Sequence, residues 1–401
     1  MRVAIVAEWY PSPADLVHGI WAHRQALAAR DAGAEVKVVA MRRPVPPLSA
    51  LRALAASPPD PAPLKRWARG VKPSIEPWTL DGIEVRSVPF LSPPRPRSYG
   101  SWGHWMAPPL AVALGHMRNH WPFDLVHAHC IVPPGYAAAR WRHGAEDRPP
   151  LVVSAHGPDM IHVPELSGLA ERASRTALRG ADLVLANSRW AQRRCEQIAR
   201  TRLPSRVVHL GADLPGESPP KHERPTLVTV AHLVARKRHA VVLHALAELR
   251  GRLELDYLVI GDGPGREPLE RLAAELGLSE RVTFAGQLEH EPALREAARC
   301  HLFAMPGVEE PFGVAFVEAM AAGLPAIGAK GEGGPEDIAA GGGGMLLVAP
   351  DDHHELAGAI AGAFEQGIDQ LGRQARENVE RNFTWERCGR ATIEAYEAAL
   401  Q

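Results

Sequence analysis

The chain has 401 residues, 46% hydrophobic and 23% charged, more than one hydrophobic core usually supports, so two soluble globular domains are the starting expectation. No apolar run approaches the roughly 18 residues of a membrane-spanning helix, the opening Met1-Arg2-Val3-Ala4-Ile5-Val6 lacks a signal-peptide layout, and Cys130, Cys195, Cys300 and Cys388 form no C-x-x-C pair, so a cytoplasmic protein without zinc ribbon, redox dithiol or disulfide framework is expected. The net charge of −1 hides a division: residues 1–212 hold 27 Lys and Arg against 16 Asp and Glu, the rest 18 against 30, so the two parts carry +11 and −12.

Apolar strand patterns alternate with helical ones almost from end to end, as parallel sheets covered on both faces require. Residues 2–8 read as a buried strand, 19–32 as an amphipathic helix and 35–41 as a second strand. Residues 42–80 hold nine prolines (44, 46, 47, 58, 59, 61, 63, 73, 77) with Arg42, Arg43, Arg52, Lys65, Arg66, Arg69 and Lys72 among them, which predicts a long irregular excursion. Strands resume at 83–88, 124–128, 151–155, 182–186 and 206–209. A Pro-rich linker at 215–225 then opens a second series, at 226–231, 255–260, 281–285, 301–305, 326–328 and 344–348. The predicted fold is α/β: two doubly wound Rossmann-like domains facing a central cleft, 1–214 and 215–384. The terminal helix Trp385–Leu400 has no strand after it and could return to the first domain. No repeat of 20–50 residues is present.

The most informative segment is Glu310-Pro311-Phe312-Gly313-Val314-Ala315-Phe316-Val317-Glu318-Ala319-Met320-Ala321-Ala322-Gly323-Leu324-Pro325. Two carboxylates separated by seven residues bracket a loop that turns into a helix. Gly313 lets the backbone approach a ligand, and N–H groups around Phe312, Gly313 and Val314 can meet phosphate or sugar oxygens. A carboxylate at Glu318 can accept hydrogen bonds from two vicinal ribose hydroxyls.

This string resembles the E-x7-E signature of the retaining family 4 glycosyltransferases, which have the two-domain glycosyltransferase B architecture. Other segments agree in order: Glu8-Trp9-Tyr10-Pro11 through His18-Gly19-Ile20, similar to the exopolysaccharide and teichuronic acid subgroup, then His156-Gly157, Asn187-Ser188, Gly211-Ala212-Asp213 and Leu233-Val234-Ala235-Arg236-Lys237. They continue through Gly261-Asp262-Gly263-Pro264, Val282-Thr283-Phe284-Ala285-Gly286 and Glu332-Gly333-Gly334-Pro335-Glu336-Asp337. Residues 42–122 align with no motif.

The resemblance implies a nucleotide diphosphate sugar as donor, no other cofactor, no metal, and no nucleic-acid partner. Breaking the sugar–diphosphate bond leaves negative charge on phosphate, for which Lys237 is the best cation, with Arg236 or Arg238 assisting. Where the family usually has an arginine before the leucine of this segment, the chain has His232. Gly19, at the mouth of a helix, offers its N–H to the diphosphate from the other domain. The resemblance places His156 beside the reacting sugar and Glu310 at the sugar hydroxyls or near the developing positive charge. It makes Gly261 and Gly263 part of a turn lining the nucleotide pocket, with backbone groups near Gln287 and Leu288 reading the base. A nicotinamide site is disfavoured because Arg266 stands where G-x-G-x-x-G needs its third glycine.

Two other functions stay open: a nucleotide-sugar epimerase of the same architecture, and a nucleotide-sugar binding protein without chemistry. The excess of cations in the first part, with Arg95 and Arg97 near Trp67, Trp78, Tyr99, Trp102 and Trp105, suits a lipid-linked acceptor and a peripheral place on the anionic inner face of the membrane. A soluble anionic acceptor would need only the cations. Tryptophans that are simply buried, or two oppositely charged domains that attract each other, would need neither.

Overall fold

The computed structural model describes residues 1–46, 48–71, 77–94, 98–144, 148–216 and 219–401. Pro47, Lys72, Pro73, Arg95 and Arg97, which figure in the reading above, lie outside the described residues. The chain divides into two compact units: 1–187 with 191–208 and 389–401, and 188–190 with 209–388.

The N-terminal unit contains β1 (Arg2–Ala7), β2 (Glu35–Arg42), β3 (Trp78–Leu80), β4 (Ile83–Pro89), β5 (Leu125–His129), β6 (Leu151–Ala155), β7 (Leu183–Ala186) and β8 (Ser205–Val207). They form one sheet in the order β3-β4-β2-β1-β5-β6-β7-β8, parallel except where β3 runs against β4. In β1 the run from Val3 to Ala7 is wholly buried, as a strand covered on both faces must be. Its pairing of Val3 with Val36 and with Leu125 sets the register of the centre. The terminal helix Trp385–Leu400 contributes residues 389–401 to this unit. There Gln25 Nε2 donates to Thr392 Oγ1 at 3.3 Å, and a Cβ on Gly389 would lie 2.2 Å from the Ala28 carbonyl oxygen.

The proline-rich stretch is more regular than its composition predicts. Helices Leu48–Leu54 and Ala62–Val71 and the short β3 occupy it, because several prolines fall between these elements and Asp60 caps the second helix, its Oδ1 accepting from the Ala62 N–H at 2.9 Å. Downstream, the long helix Trp102–His120 carries Pro108 and Pro109.

The C-terminal unit contains β9 (Thr226–Val230), β10 (Asp256–Ile260), β11 (Val282–Gly286), β12 (Leu302–Met305), β13 (Ala326–Ala329) and β14 (Met345–Val348), all parallel, in the order β11-β10-β9-β12-β13-β14. Helices His239–Leu249 and His353–Gln366 cover one face. Val242, Leu246 and Leu249 from the first and Leu356 and Ile360 from the second join Leu227, Val259 and Ile327 of the sheet in one core. No helix among the described residues is long and apolar enough to cross a membrane.

Candidate active site

In the C-terminal unit the ends of β9 and β12 lead into two loops that are tied together. After β9 the chain makes a short turn, Ala235–Lys237, and Arg238, in left-handed conformation at φ 57°, hands it to the helix His239–Leu249. The Arg236 carbonyl accepts from the Val308 N–H at 2.8 Å, which fixes this turn against the loop leaving β12. The Lys237 ammonium then forms an ion pair with Glu310 Oε2, both side chains about nine-tenths buried. Arg236 Nη1 lies 3.9 Å from the same oxygen and donates to the Glu309 carbonyl at 3.5 Å. Lys237 is thus on the turn just ahead of the helix, and the second cation beside Glu310 is Arg236. Arg238 turns instead to Asp351 at 2.8 Å, and His232 is exposed.

A third loop supports this pair. The Glu310 N–H donates to Glu332 Oε2 at 2.8 Å, and the Glu310 carbonyl accepts from the Gly334 N–H at 3.1 Å. The contact is so close that a Cβ on Gly334 would fall 1.7 Å from the Phe312 carbonyl oxygen. Burial raises the Glu332 carboxyl above the usual range, partly offset by the N–H bond from Glu310. Nearby, Asp337 accepts from the Arg189 N–H and Nε and from His209 Nε2, all at 2.9 Å. Burial opposes its ionisation, yet these bonds hold it down to about 2.

Gly313, at φ 81°, precedes the helix Val314–Ala321, whose Phe316 N–H turns back to the Gly313 carbonyl at 3.0 Å while the N–H groups of Val314 and Ala315 have no acceptor within the helix. Phe312 turns inward, 5.8 Å from the His209 ring and 6.1 Å from Phe383, so any ligand contact there falls to backbone. Glu318 is held by His290, Nε2 to Oε1 at 2.8 Å. Gln287 and Leu288 follow β11 directly. Gly261, at φ 139°, follows β10, and its N–H donates to Gly286 at 2.8 Å; a Cβ there would lie 2.0 Å from the Ala231 carbonyl oxygen, so this turn and Gly263 serve close packing against the loop after β9. Glu310, Lys237 and Arg236 therefore converge in one cluster, while Glu318 with His290 forms another on the helix that follows.

Gly19 and His156 belong to the N-terminal unit. Gly19, at φ 76°, opens the helix Ile20–Asp31, and a Cβ would meet the Trp9 carbonyl carbon at 2.3 Å. His156, just after β6, stacks on His129 with ring centres 5.2 Å apart and meets Trp21 at a tilt of 45°, ring centres 4.0 Å apart, and its Nε2 lies 3.0 Å from His129 Nδ1. Behind it His127 bonds Tyr396 OH at 2.8 Å and Ser154 Oγ at 2.7 Å. Burial lowers the pKa of all three rings, that of His129 to about 3. They are neutral at physiological pH, so His156 offers a hydrogen bond and not a charge. Asp159, itself buried, clips the ends of β5 and β6 together by accepting from the N–H groups of Ile131, His156 and Gly157 at 2.9, 3.2 and 2.8 Å.

Sequence reasoning missed Trp21, His129, Asp159, His290 and Glu332 as partners of these residues. The alternation of His127 and His129 at the end of an apolar strand, and an aspartate three residues after His156, were available signals. Nothing local points from Glu318 to His290, 28 residues away.

Two doubly wound, mainly parallel-sheet units in one chain are the architecture of the glycosyltransferase B class, and the solved structures agree on the fold. Sucrose-phosphate synthase of Thermosynechococcus elongatus matches with a TM-score of 0.74 at 19% identity, over 99% of this chain and 98% of that one. Anabaena HepE in complex with UDP matches with a TM-score of 0.68 at 19% identity, over 99% and 100%. In sequence, residues 17–215 match the family described as Glycosyltransferase Family 4 and residues 213–382 that described as Glycosyl transferases group 1. The D-inositol 3-phosphate glycosyltransferase of Nocardia farcinica is 30% identical over 315 residues, 69% of this chain and 67% of that one. The GDP-mannose-dependent alpha-(1-6)-phosphatidylinositol monomannoside mannosyltransferase of Mycobacterium tuberculosis is 38% identical over 124 residues, 29% of this chain and 32% of that one. The chain belongs to glycosyltransferase family 4.

Proposed function

We propose that this protein transfers a hexose from a nucleotide diphosphate sugar to an acceptor hydroxyl, keeping the configuration of the anomeric carbon and using no metal in the transfer step. The observation that carries the reading is the cluster of Lys237 and Arg236 around Glu310, two cations held by a carboxylate at the ends of neighbouring strands. A diphosphate entering this cluster competes with Glu310 for Lys237 and takes over the stronger charge. As the anomeric carbon–oxygen bond breaks, its electron pair goes to the phosphate, which Lys237 and Arg236 stabilise. The acceptor oxygen attacks from the same face, and its proton passes to the departing phosphate. Glu310 then faces the sugar hydroxyls, and Glu318 binds the ribose once His290 shares it. Backbone N–H groups of Gly313 and Val314 meet phosphate or sugar oxygens, and backbone at Gln287 and Leu288 reads the base. The N-terminal unit supplies Gly19 and neutral His156, and it binds the acceptor.

The acceptor is lipid-linked in this proposal, and the protein works as a peripheral one on an anionic cytoplasmic membrane face. Exposed Lys65, Arg66 and Arg69 on the helix Ala62–Val71, with exposed Leu51 and Leu54 on the neighbouring helix, support it. So does the lipid acceptor in the name of the mycobacterial relative. Part of the basic and aromatic set is taken up within the fold. Trp102 is buried and donates to the Pro93 carbonyl at 3.0 Å, Arg43 lies on that ring and bonds Ser92 at 2.8 Å, and Arg42 bonds the Pro11 carbonyl at 2.5 Å. Trp105 alone among the described aromatics of that set is exposed.

A panel of nucleotide sugars, followed by the anomeric proton of the product in nuclear magnetic resonance, tests the proposal. Transfer or hydrolysis with retention, unchanged by chelator, is expected. Inversion, isomerisation of the donor, or saturable binding without turnover would each overturn it.

A further inference from the structure

Away from the Lys237 cluster, the C-terminal unit carries a group of metal-type side chains that the proposed chemistry does not use. His244 and Glu248 stand four residues apart on the helix His239–Leu249, a spacing that puts them on one face. Against them, His353 and His354 open the helix His353–Gln366, which Asp352 caps through the Glu355 N–H at 2.9 Å. His354 Nδ1 lies 2.7 Å from Glu248 Oε2, the rings of His353 and His354 are 4.1 Å apart, and the His244 ring is 5.4 Å from that of His353. One donor atom each from Glu248, His353 and His354 lies within 4.8 Å of the others.

We propose that Glu248, His353 and His354 bind one divalent transition-metal ion of the zinc class, with His244 or water completing a four-coordinate shell. Imidazole nitrogens with one carboxylate oxygen form a borderline donor set that suits Zn2+, Ni2+ or Cu2+ and not the oxygen-seeking Mg2+ or Ca2+. Bonds of about 2.0–2.1 Å in a tetrahedron hold ligand atoms about 3.3 Å apart, between the 2.7 Å of His354 Nδ1 to Glu248 Oε2 and the 4.8 Å that bounds the whole set. The scaffold is rigid where it matters. The two helices share the apolar core through Val242, Leu246, Leu356 and Ile360, which fixes one helix against the other. Glu248 and His354 remain open to solvent, giving the ion an entry path. An ion bound there cross-links the two helices and stabilises the folded unit, and it takes no part in transfer.

Titration of chelator-treated, full-length protein with zinc chloride tests the site. One equivalent of zinc should bind, with a higher melting temperature, and magnesium should do neither. Cobalt should give the visible absorption of a tetrahedral site. His353→Ala and His354→Ala should each weaken zinc binding at least tenfold, while melting in chelator stays at the wild-type temperature and donor turnover is unchanged. No zinc uptake by the wild type, or uptake of the same strength in the His353→Ala/His354→Ala double variant, would overturn the assignment. Loss of transfer activity with intact zinc binding would bear on the proposed function instead.

Discussion

Acidification should destabilise the N-terminal unit steeply, because His127 and His129 are buried as neutral rings. Burial lowers both pKa values, His129 to about 3, whereas an unfolded histidine titrates near 6.5. The unfolded chain therefore binds protons that the folded unit refuses. The stability gained from keeping these rings neutral is full above about pH 6.5 and is lost as the pH falls below it, at about 1.4 kcal/mol per unit and per ring. From about pH 7.5 to about pH 5.5 this integrates to about 1.4 kcal/mol each, or about 3 kcal/mol for two, a large part of a typical 5–15 kcal/mol. His156, less deeply buried, adds in the same direction. Eight of the ten tryptophans lie in the N-terminal unit, so denaturant melts followed by their fluorescence report on it. His23, also buried and lowered, contributes in the same direction, so the decisive comparison is between wild type and His129→Phe. The variant should lose about 1.4 kcal/mol of the pH dependence over that interval, whatever its absolute stability. A wild type equally stable at both pH values, or a variant with undiminished pH dependence, would refute the argument.

Lys237→Ala should slow transfer by about 10²–10³, the usual loss for one preorganised charge stabiliser, with the donor KM less affected. Steady-state kinetics with the donor found by the panel decides it, and near wild-type kcat would hand the role to Arg236. Glu318→Ala should weaken donor binding in calorimetry, whereas Glu310→Ala should lower kcat more than binding; small and equal effects would remove both assignments. Gly19→Ala should cost at least about 2 kcal/mol in denaturant melts, since the new Cβ meets Trp9 backbone and the position has positive φ. Anionic vesicles should sediment the protein at low salt but not high salt. Neutralising Lys65, Arg66 and Arg69 should abolish this at about 1 kcal/mol per cation, and indifference to such vesicles would favour a soluble acceptor.

Much of the architecture was legible in the residues alone. Strands buried on both faces are nearly continuous apolar runs, so β1, β5, β6, β9 and β12 announce themselves. The segment from Glu310 to Pro325 is equally local, with loop, glycine and helix start written in one stretch. The helices at Leu48–Leu54 and Ala62–Val71 were not legible, because proline density masks short helices capped by single residues such as Asp60. What only tertiary structure decided is which side chain each functional residue meets. Lys237 finds Glu310 73 positions on, Glu310 leans on Glu332, and Glu318 finds His290, since loops at the ends of parallel strands meet in space after crossovers that separate them in sequence. The same crossovers bring His127 and His129 of β5 to Ser154 and His156 at the end of β6, and burial there strips these histidines of the charge that exposed ones would carry at mildly acidic pH.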